Sequence, residues 1–190
     1  MVTVTHCARV AGADRRRVRI GHVIRRLLVL CVSLACCLAL SACKGGDSDA
    51  KTVDGLPAYV TSNDEKGAQN FARYWVTTLN QATTSGKTEK FKSLNKDSCD
   101  TCTDFAKQLD DIYGAGGHVE TDGFKVKKIA NEAGVPKPGA GVSVVLTATP
   151  QKVYKSKGAA PRSLKGGDLR LRLIMVREKS HWVMDRVDIG

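Results

Sequence analysis

The hydrophobic periodicity of this 190-residue chain changes once, at Gly114-Ala115-Gly116-Gly117, and that change fixes what it can fold into. Upstream, apolar residues recur at helical spacing; downstream, they alternate with polar ones. Ala68, Phe71, Ala72, Trp75, Leu79 and Ala82 predict a helix over about residues 63–82, its stripe broadened by Tyr74 and Val76. Ser62-Asn63-Asp64-Glu65 reads as a capping box, with Ser62 at the N-cap and Glu65 reaching back from N3. Ser85-Gly86 breaks the chain before a short helix at about 87–94 that carries Phe91 and Leu94. A third helix, from near Ser98 to Tyr113, turns Cys102, Phe105, Ala106, Leu109 and Ile112 to one side, and Gly114 ends it.

After Gly117 the segments read as strands. Phe124, Val126 and Ile129 lie on the first, and Pro136, Pro138 and Gly139 turn the chain. Val142, Val144, Leu146 and Ala148 give the cleanest period of two. A basic Gly/Pro/Ser loop at about 155–168 leads to Leu169, Leu171 and Leu173, which alternate with Arg170 and Arg172. Glu178-Lys179-Ser180 then turns into a last strand bearing Trp182 and Met184. The expected architecture is α+β: three N-terminal helices packed on one face of a curved four-stranded antiparallel sheet, a cone with a mouth. It occupies residues 62–190.

The residues before it read as an export signal. Arg15, Arg16, Arg17, Arg19, Arg25 and Arg26 precede an uncharged apolar stretch from Leu27 to Ala42, and Leu40-Ser41-Ala42-Cys43 resembles the bacterial lipobox. As a helix, those 16 residues would rise only about 24 Å, short of a ~30 Å hydrocarbon core, which favours a cleaved leader over a permanent span. No Ser or Thr precedes Arg25-Arg26, so general secretion is expected rather than twin-arginine export. The expected organisation is a signal peptide over 1–42, a lipidated Cys43, and a polar tether through residue 61. The protein is thereby assigned to the extracytoplasmic face of a cell membrane.

Composition argues against a nucleic-acid partner once that leader is set aside. Seven of the 30 basic and one of the 19 acidic residues lie in 1–42, so the net charge falls from +11 to +5. Four of the seven cysteines lie there too, leaving Cys43, Cys99 and Cys102. With Cys43 acylated, the other two form an even pair in an oxidising compartment.

The succession Lys66-Gly67-Ala68, Phe71-Ala72-Arg73-Tyr74-Trp75, Asn80-Gln81-Ala82, Ser85-Gly86, Cys99-Asp100-Thr101-Cys102, Tyr113 and Gly116-Gly117 resembles a family of small actinobacterial lipoproteins. The resemblance spans about residues 58–190. It implies a cystatin-like or nuclear-transport-factor-two-like cone and an envelope location, and it brings no activity with it.

Three constellations could carry function. Cys99 and Cys102 sit at a helix start, where a thiol pKa falls, so they suit either a structural disulfide or a thiol-disulfide oxidoreductase. Asp97, Asp100 and Asp104 around them disfavour a thiolate, and no strand precedes the motif, which favours the structural role. Tyr74, Trp75, Tyr113 and Trp182 could line a pocket inside the cone. An isomerase-like enzyme would need an acid or base there, but the helix carboxylates Asp104, Asp110 and Asp111 fall off the apolar stripe. Lys125, Lys127, Arg170 and Arg172 share one side of the sheet if their strands are neighbours, and would meet anionic headgroups or solvent. Ile174, Val176 and Val145 add apolar area for a homodimer through that side. No phosphate-cradling loop, nucleotide fingerprint or metal-binding His pair is present, and no cofactor is expected. A non-catalytic binding module for an envelope protein or small ligand is the leading reading.

Overall fold

Periodicity 3.6 and periodicity 2 produce the two layers of a mixed α+β domain. The computed structural model of the protein describes residues 52–190. The expected signal peptide, the lipidated Cys43 and the first part of the tether lie outside the described residues.

The folded chain begins earlier than the sequence suggests. Strands β1 (Thr52–Val53) and β2 (Leu56–Pro57) form a small antiparallel hairpin, followed by a 3-10 turn at Ala58–Val60. Asp54 and Gly55 make the hairpin turn with φ of 52° and 75°. Leu56 and Val60 are buried in the main core, so this part of the expected tether is a fold element. Asn70 and Arg177 tie it down, donating to the carbonyls of Tyr59 and Thr61. Two-residue strands are too short to show a period, which is why composition alone reads them as linker.

Helix α1 (Glu65–Ser85) turns Phe71, Trp75, Val76 and Leu79 inward, as the spacing predicts. Its cap is Asp64, not Ser62. The Asp64 carboxylate accepts from the Gly67 backbone N–H at 2.6 Å, and that bond holds its carboxyl below the usual range. The Ser62 hydroxyl bonds to Asp64, a further cause of that carboxyl's depressed pKa, and the Ser62 carbonyl accepts from the Trp182 indole at 2.9 Å. The helix ends on Gly86, at φ +72°. Helices α2 (Glu89–Lys92) and α3 (Asp100–Gly114) follow.

The strands are β3 (His118–Glu120), β4 (Phe124–Glu132), β5 (Gly139–Ala148), β6 (Gln151–Tyr154), β7 (Arg162–Leu164), β8 (Gly167–Glu178) and β9 (His181–Ile189). They form a four-stranded antiparallel sheet of order β4-β5-β8-β9 and a three-stranded sheet of order β3-β6-β7. The expected single four-stranded sheet is therefore one of three, counting the N-terminal hairpin. The extra strands arise where the chain bends rather than stops. β3 leads into β4, β5 into β6, and β7 into β8, each across a short kink.

Thr121, Gly123 and Thr149 lock two of those kinks. Thr149 donates to the Gly123 carbonyl through both its amide and its hydroxyl, and the Gly123 N–H donates to Thr121 Oγ1. The far edge, β9, is covered by the Leu94–Lys96 segment, which exchanges backbone hydrogen bonds with Met184. Among the described residues, no helix is long and apolar enough to cross a membrane.

Candidate functional site

Beside the kink in the sheets lies a hollow of about 470 Å³, between α1, α3 and the small sheet. A volume of that size is within the range typical of small-ligand sites. Leu79 and Thr83 contribute from the C-terminal half of α1. Phe105, Gln108, Leu109 and Ile112 come from α3, where spacings of three and four place them on one side. Val119 on β3 and Phe124 at the start of β4 close the floor. Strand alternation supplies the remaining wall. Gln151, Val153 and Lys155 face in while Lys152 and Tyr154 face away, and on the paired strand Arg162 and Leu164 face in around Ser163.

The lining is mostly apolar with charge at its rim. Asp111 is the cavity's one carboxylate; it is exposed and paired with Lys107 at 3.0 Å. That bond raises the Lys107 pKa above its ordinary value. Lys155 and Arg162 have no ion-pair partner among the described residues. The lining holds no histidine and no buried acid. Such a wall can bind an apolar body and orient a polar end.

None of the four aromatics expected in a pocket lines this cavity. Trp75 is fully buried, tilted against Phe91 with ring centroids 5.2 Å apart, and donates its indole N–H to Asn95 at 2.6 Å. Trp182 is core, with the Arg177 guanidinium 5.1 Å from its ring centroid. Tyr74 is a half-buried residue at the edge of the core. Tyr113 acts as a strut: its ring lies against Gly86, and its hydroxyl donates to the Thr83 carbonyl at 2.7 Å. The aromatic stripe is thus packing. The cavity lies one to two helical turns further along α1, where smaller side chains leave room.

Cys99 and Cys102 are joined in a disulfide at the start of α3. Each is only 1% exposed. Cys102 borders a second hollow of about 390 Å³ with Lys92, Asn95 and Asp110, but its burial keeps the sulfur from an attacking thiolate. Thr101 between them donates to the Val187 carbonyl, fixing the helix start to β9.

The sheet face away from the helices carries mixed charge. β5 separates β4 from β8, so Lys125 and Arg170 share a face without being neighbours. Lys127 is held by Asp168 at 2.8 Å, and Arg172 by Glu132 at 2.6 Å with Asp188 beyond. Ile174 and Val183 on that face are already buried within the one chain, leaving Val145 and Val176 half-exposed.

One cluster escapes a sequence reading. Ser180 and His181, at the β8–β9 turn, both reach the same carboxylate oxygen of Asp54 in the N-terminal hairpin. The Ser180 hydroxyl is directed at Asp54 and not at the imidazole, so this is a clasp rather than a nucleophile–base pair. Among the described residues, no group of three metal-ligating side chains converges.

No curated protein matches the sequence. The profile of a family of unknown function, DUF6318, matches residues 55–188. Similar solved structures include the intermembrane-space region of the chloroplast protein ARC6, 10% identical over 66% of this chain and 95% of that one, with a TM-score of 0.49. An uncharacterised protein with a cystatin-like fold from Caulobacter vibrioides is 12% identical, covering 64% of this chain and 88% of that one, at a TM-score of 0.42. An NTF2-like protein with a cystatin-like fold from Novosphingobium aromaticivorans is 10% identical, covering 67% and 89%, at 0.41. Similarity at this level carries nothing about ligand or partner to this chain.

Proposed function

The chain belongs to DUF6318, a family of unknown function, and from its own residues we propose that it is a lipid-anchored cell-envelope protein, of the actinobacterial lipoprotein kind, whose domain binds a small ligand without transforming it. The observation that carries the binding reading is the cavity between α1, α3 and the small sheet, apolar along its walls. The anchor rests on the Leu40-Ser41-Ala42-Cys43 sequence after its uncharged run. Nine residue steps separate Cys43 from Thr52, the first residue of β1. Even fully extended, they hold the domain within about 30 Å of an acylated Cys43.

Thiol-disulfide exchange has less support, because both cysteines are buried. A homodimer through the outer sheet face also has less support, since that face already covers Ile174 and Val183. The mixed charge there gives a nucleic acid or an anionic bilayer no continuous cationic surface.

Mass spectrometry of the full chain expressed in an actinobacterial host tests both halves. The expected N-terminus is a diacylglyceryl Cys43 with residues 1–42 removed; an unmodified Cys43 thiol sinks the anchor. Native mass spectra of the same preparation should show a small molecule that is lost in a Gln151→Trp variant, whose indole would fill the cavity. Identical spectra for the two proteins sink the binding role.

A further inference from the structure

We propose that the cavity takes an amphipathic anion, a molecule with an apolar body seated between α1 and α3 and an acidic head held at the rim by Lys155 and Arg162. The inference rests on the binding role proposed above and adds the chemical class and the orientation of the ligand. Two observations carry it.

The first is the position of the two cations. Val153 stands opposite Arg162 in the β6–β7 pairing, and Lys155 follows just past the end of β6 and lines the same hollow. Arg162 and Lys155 therefore both border the hollow on the side of the small sheet, and both side chains are long enough to reach over its rim. Like charges so placed repel, and neither has an ion-pair partner among the described residues. Some cations of this surface have carboxylate partners, Lys127 with Asp168, Arg172 with Glu132 and Lys92 with Asp110, while others, such as Lys125 and Arg170, are left to solvent. At the rim the only carboxylate, Asp111, is taken by Lys107. What sets Lys155 and Arg162 apart is that both line the rim of an apolar hollow, where the head of a bound acid would meet them and a guanidinium can engage it through two parallel N–H donors.

The second is the gradient of polarity along the cavity. Leu79, Leu109, Ile112, Val119 and Phe124 form its inner part. Leu164, one of few large apolar side chains the domain leaves exposed, stands at the edge two residues from Arg162. An apolar residue next to an unpaired guanidinium suits a ligand that is apolar up to its head and charged at it. A neutral apolar ligand would leave both cations unanswered, and a small inorganic anion would leave the walls wet.

The test compares three probes of one shape and different charge: 2-naphthoate, neutral 2-naphthamide and cationic 2-naphthylmethylamine. Binding is measured by equilibrium dialysis against the full chain reconstituted in phosphatidylcholine vesicles, with protein-free vesicles as the blank. Naphthoate should bind about three- to tenfold tighter than the other two, the effect expected of two exposed charge pairs. Arg162→Gln with Lys155→Gln, both at exposed positions, should bring naphthoate down to the level of naphthamide. Equal affinity for naphthoate and naphthamide in the unaltered protein would overturn the anion assignment while leaving the cavity as a binding site. A naphthoate preference that survives the double substitution would overturn the role of these two residues. If no probe binds above the blank, the ligand class and the binding role fall together; loss of all binding in Gln151→Trp places it in this cavity.

Discussion

The side chain of Asn80 on α1 closes a two-bond ring with the backbone of Phe124: Oδ1 accepts from the Phe124 N–H at 2.8 Å, and Nδ2 donates to its carbonyl at 2.9 Å. The amide thereby takes the place of a neighbouring strand at the point where β3 gives way to β4. Removing it in Asn80→Ala leaves both backbone groups without partners, at a cost of about 1–3 kcal/mol. Asn80→Asp keeps the acceptor but sets a carboxylate oxygen against the Phe124 carbonyl, so its urea midpoint should also fall below the parent's. An alanine variant as stable as the parent would mean that water replaces the ring without loss.

Gly123 precedes that ring at φ +80°, and a Cβ there would sit 2.6 Å from Asn80 Oδ1. Two separate costs follow: backbone strain, and displacement of the amide. Gly123→Ala should therefore destabilise by about 1–3 kcal/mol. In the Asn80→Ala background the clash is gone and only the strain remains, so the two substitutions should cost less together than their sum. Strict additivity in a double-mutant cycle would show that the two sites do not act as one hinge.

The helices and the long strands were legible because each repeats its period several times. Phe71, Trp75 and Leu79 cannot satisfy helical spacing by accident over that length, nor Val142, Val144 and Leu146 the spacing of a strand. The cavity was not legible. Its outer wall is β6 and β7, four and three residues long, and all three residues of β7 are exposed. A wall that faces a hollow on one side and solvent on the other has no need of apolar alternation. Arg162, Ser163 and Leu164 accordingly read as part of a basic loop. The available signal was Leu164 itself, a lone large apolar residue in that loop, together with the alternation of Gln151, Val153 and Lys155 against Lys152 and Tyr154. The aromatic residues drew attention to the wrong part of α1 because size marks what fills a core, and a cavity forms where the large side chains stop.

The hairpin ahead of α1 tests the domain boundary. Val60 is fully buried and Leu56 is 4% exposed. Leu56→Ala should lower stability by about 2–4 kcal/mol, as for other large-to-small core substitutions. Glycine substitutions at Asp47 and Asp49, in the segment before the described residues, should leave the urea midpoint unchanged. A null effect of Leu56→Ala would return this stretch to the tether.

Acid should weaken the contact between α2 and α3. Asp110 accepts from Lys92 at 2.6 Å and from Thr88 at 2.6 Å, and these bonds, the lysine's foremost, hold its carboxyl below the ordinary 3.8. A carboxyl depressed in the folded state binds its proton more readily when unfolded. Its contribution is therefore complete above the unfolded pKa and is lost as pH falls through the folded one. Asp54, Asp64 and Asp168 are depressed in the same direction. Urea midpoints should fall on acidification below about pH 4, and Asp110→Asn should make that fall shallower while lowering the plateau at neutral pH. A slope unchanged by Asp110→Asn would assign the acid limb to the other three.

The disulfide should behave as a fastening rather than a reagent. It closes a loop only three residues in sequence separation, worth about 2 kcal/mol in the chain-entropy account. Burial of both cysteines to 1% exposure requires the start of α3 to open before a thiolate can attack either sulfur. That opening must also release the Thr101 bond to Val187, so reduction should be slow in the native protein and should quicken in step with added urea. Equilibration with glutathione buffers should give a potential well below about −300 mV, and Cys99→Ser/Cys102→Ser should lose about 2 kcal/mol while still binding 2-naphthoate. A potential near about −150 mV, with rapid reduction of the folded protein, would instead mark the pair as a working oxidant and restore the oxidoreductase reading.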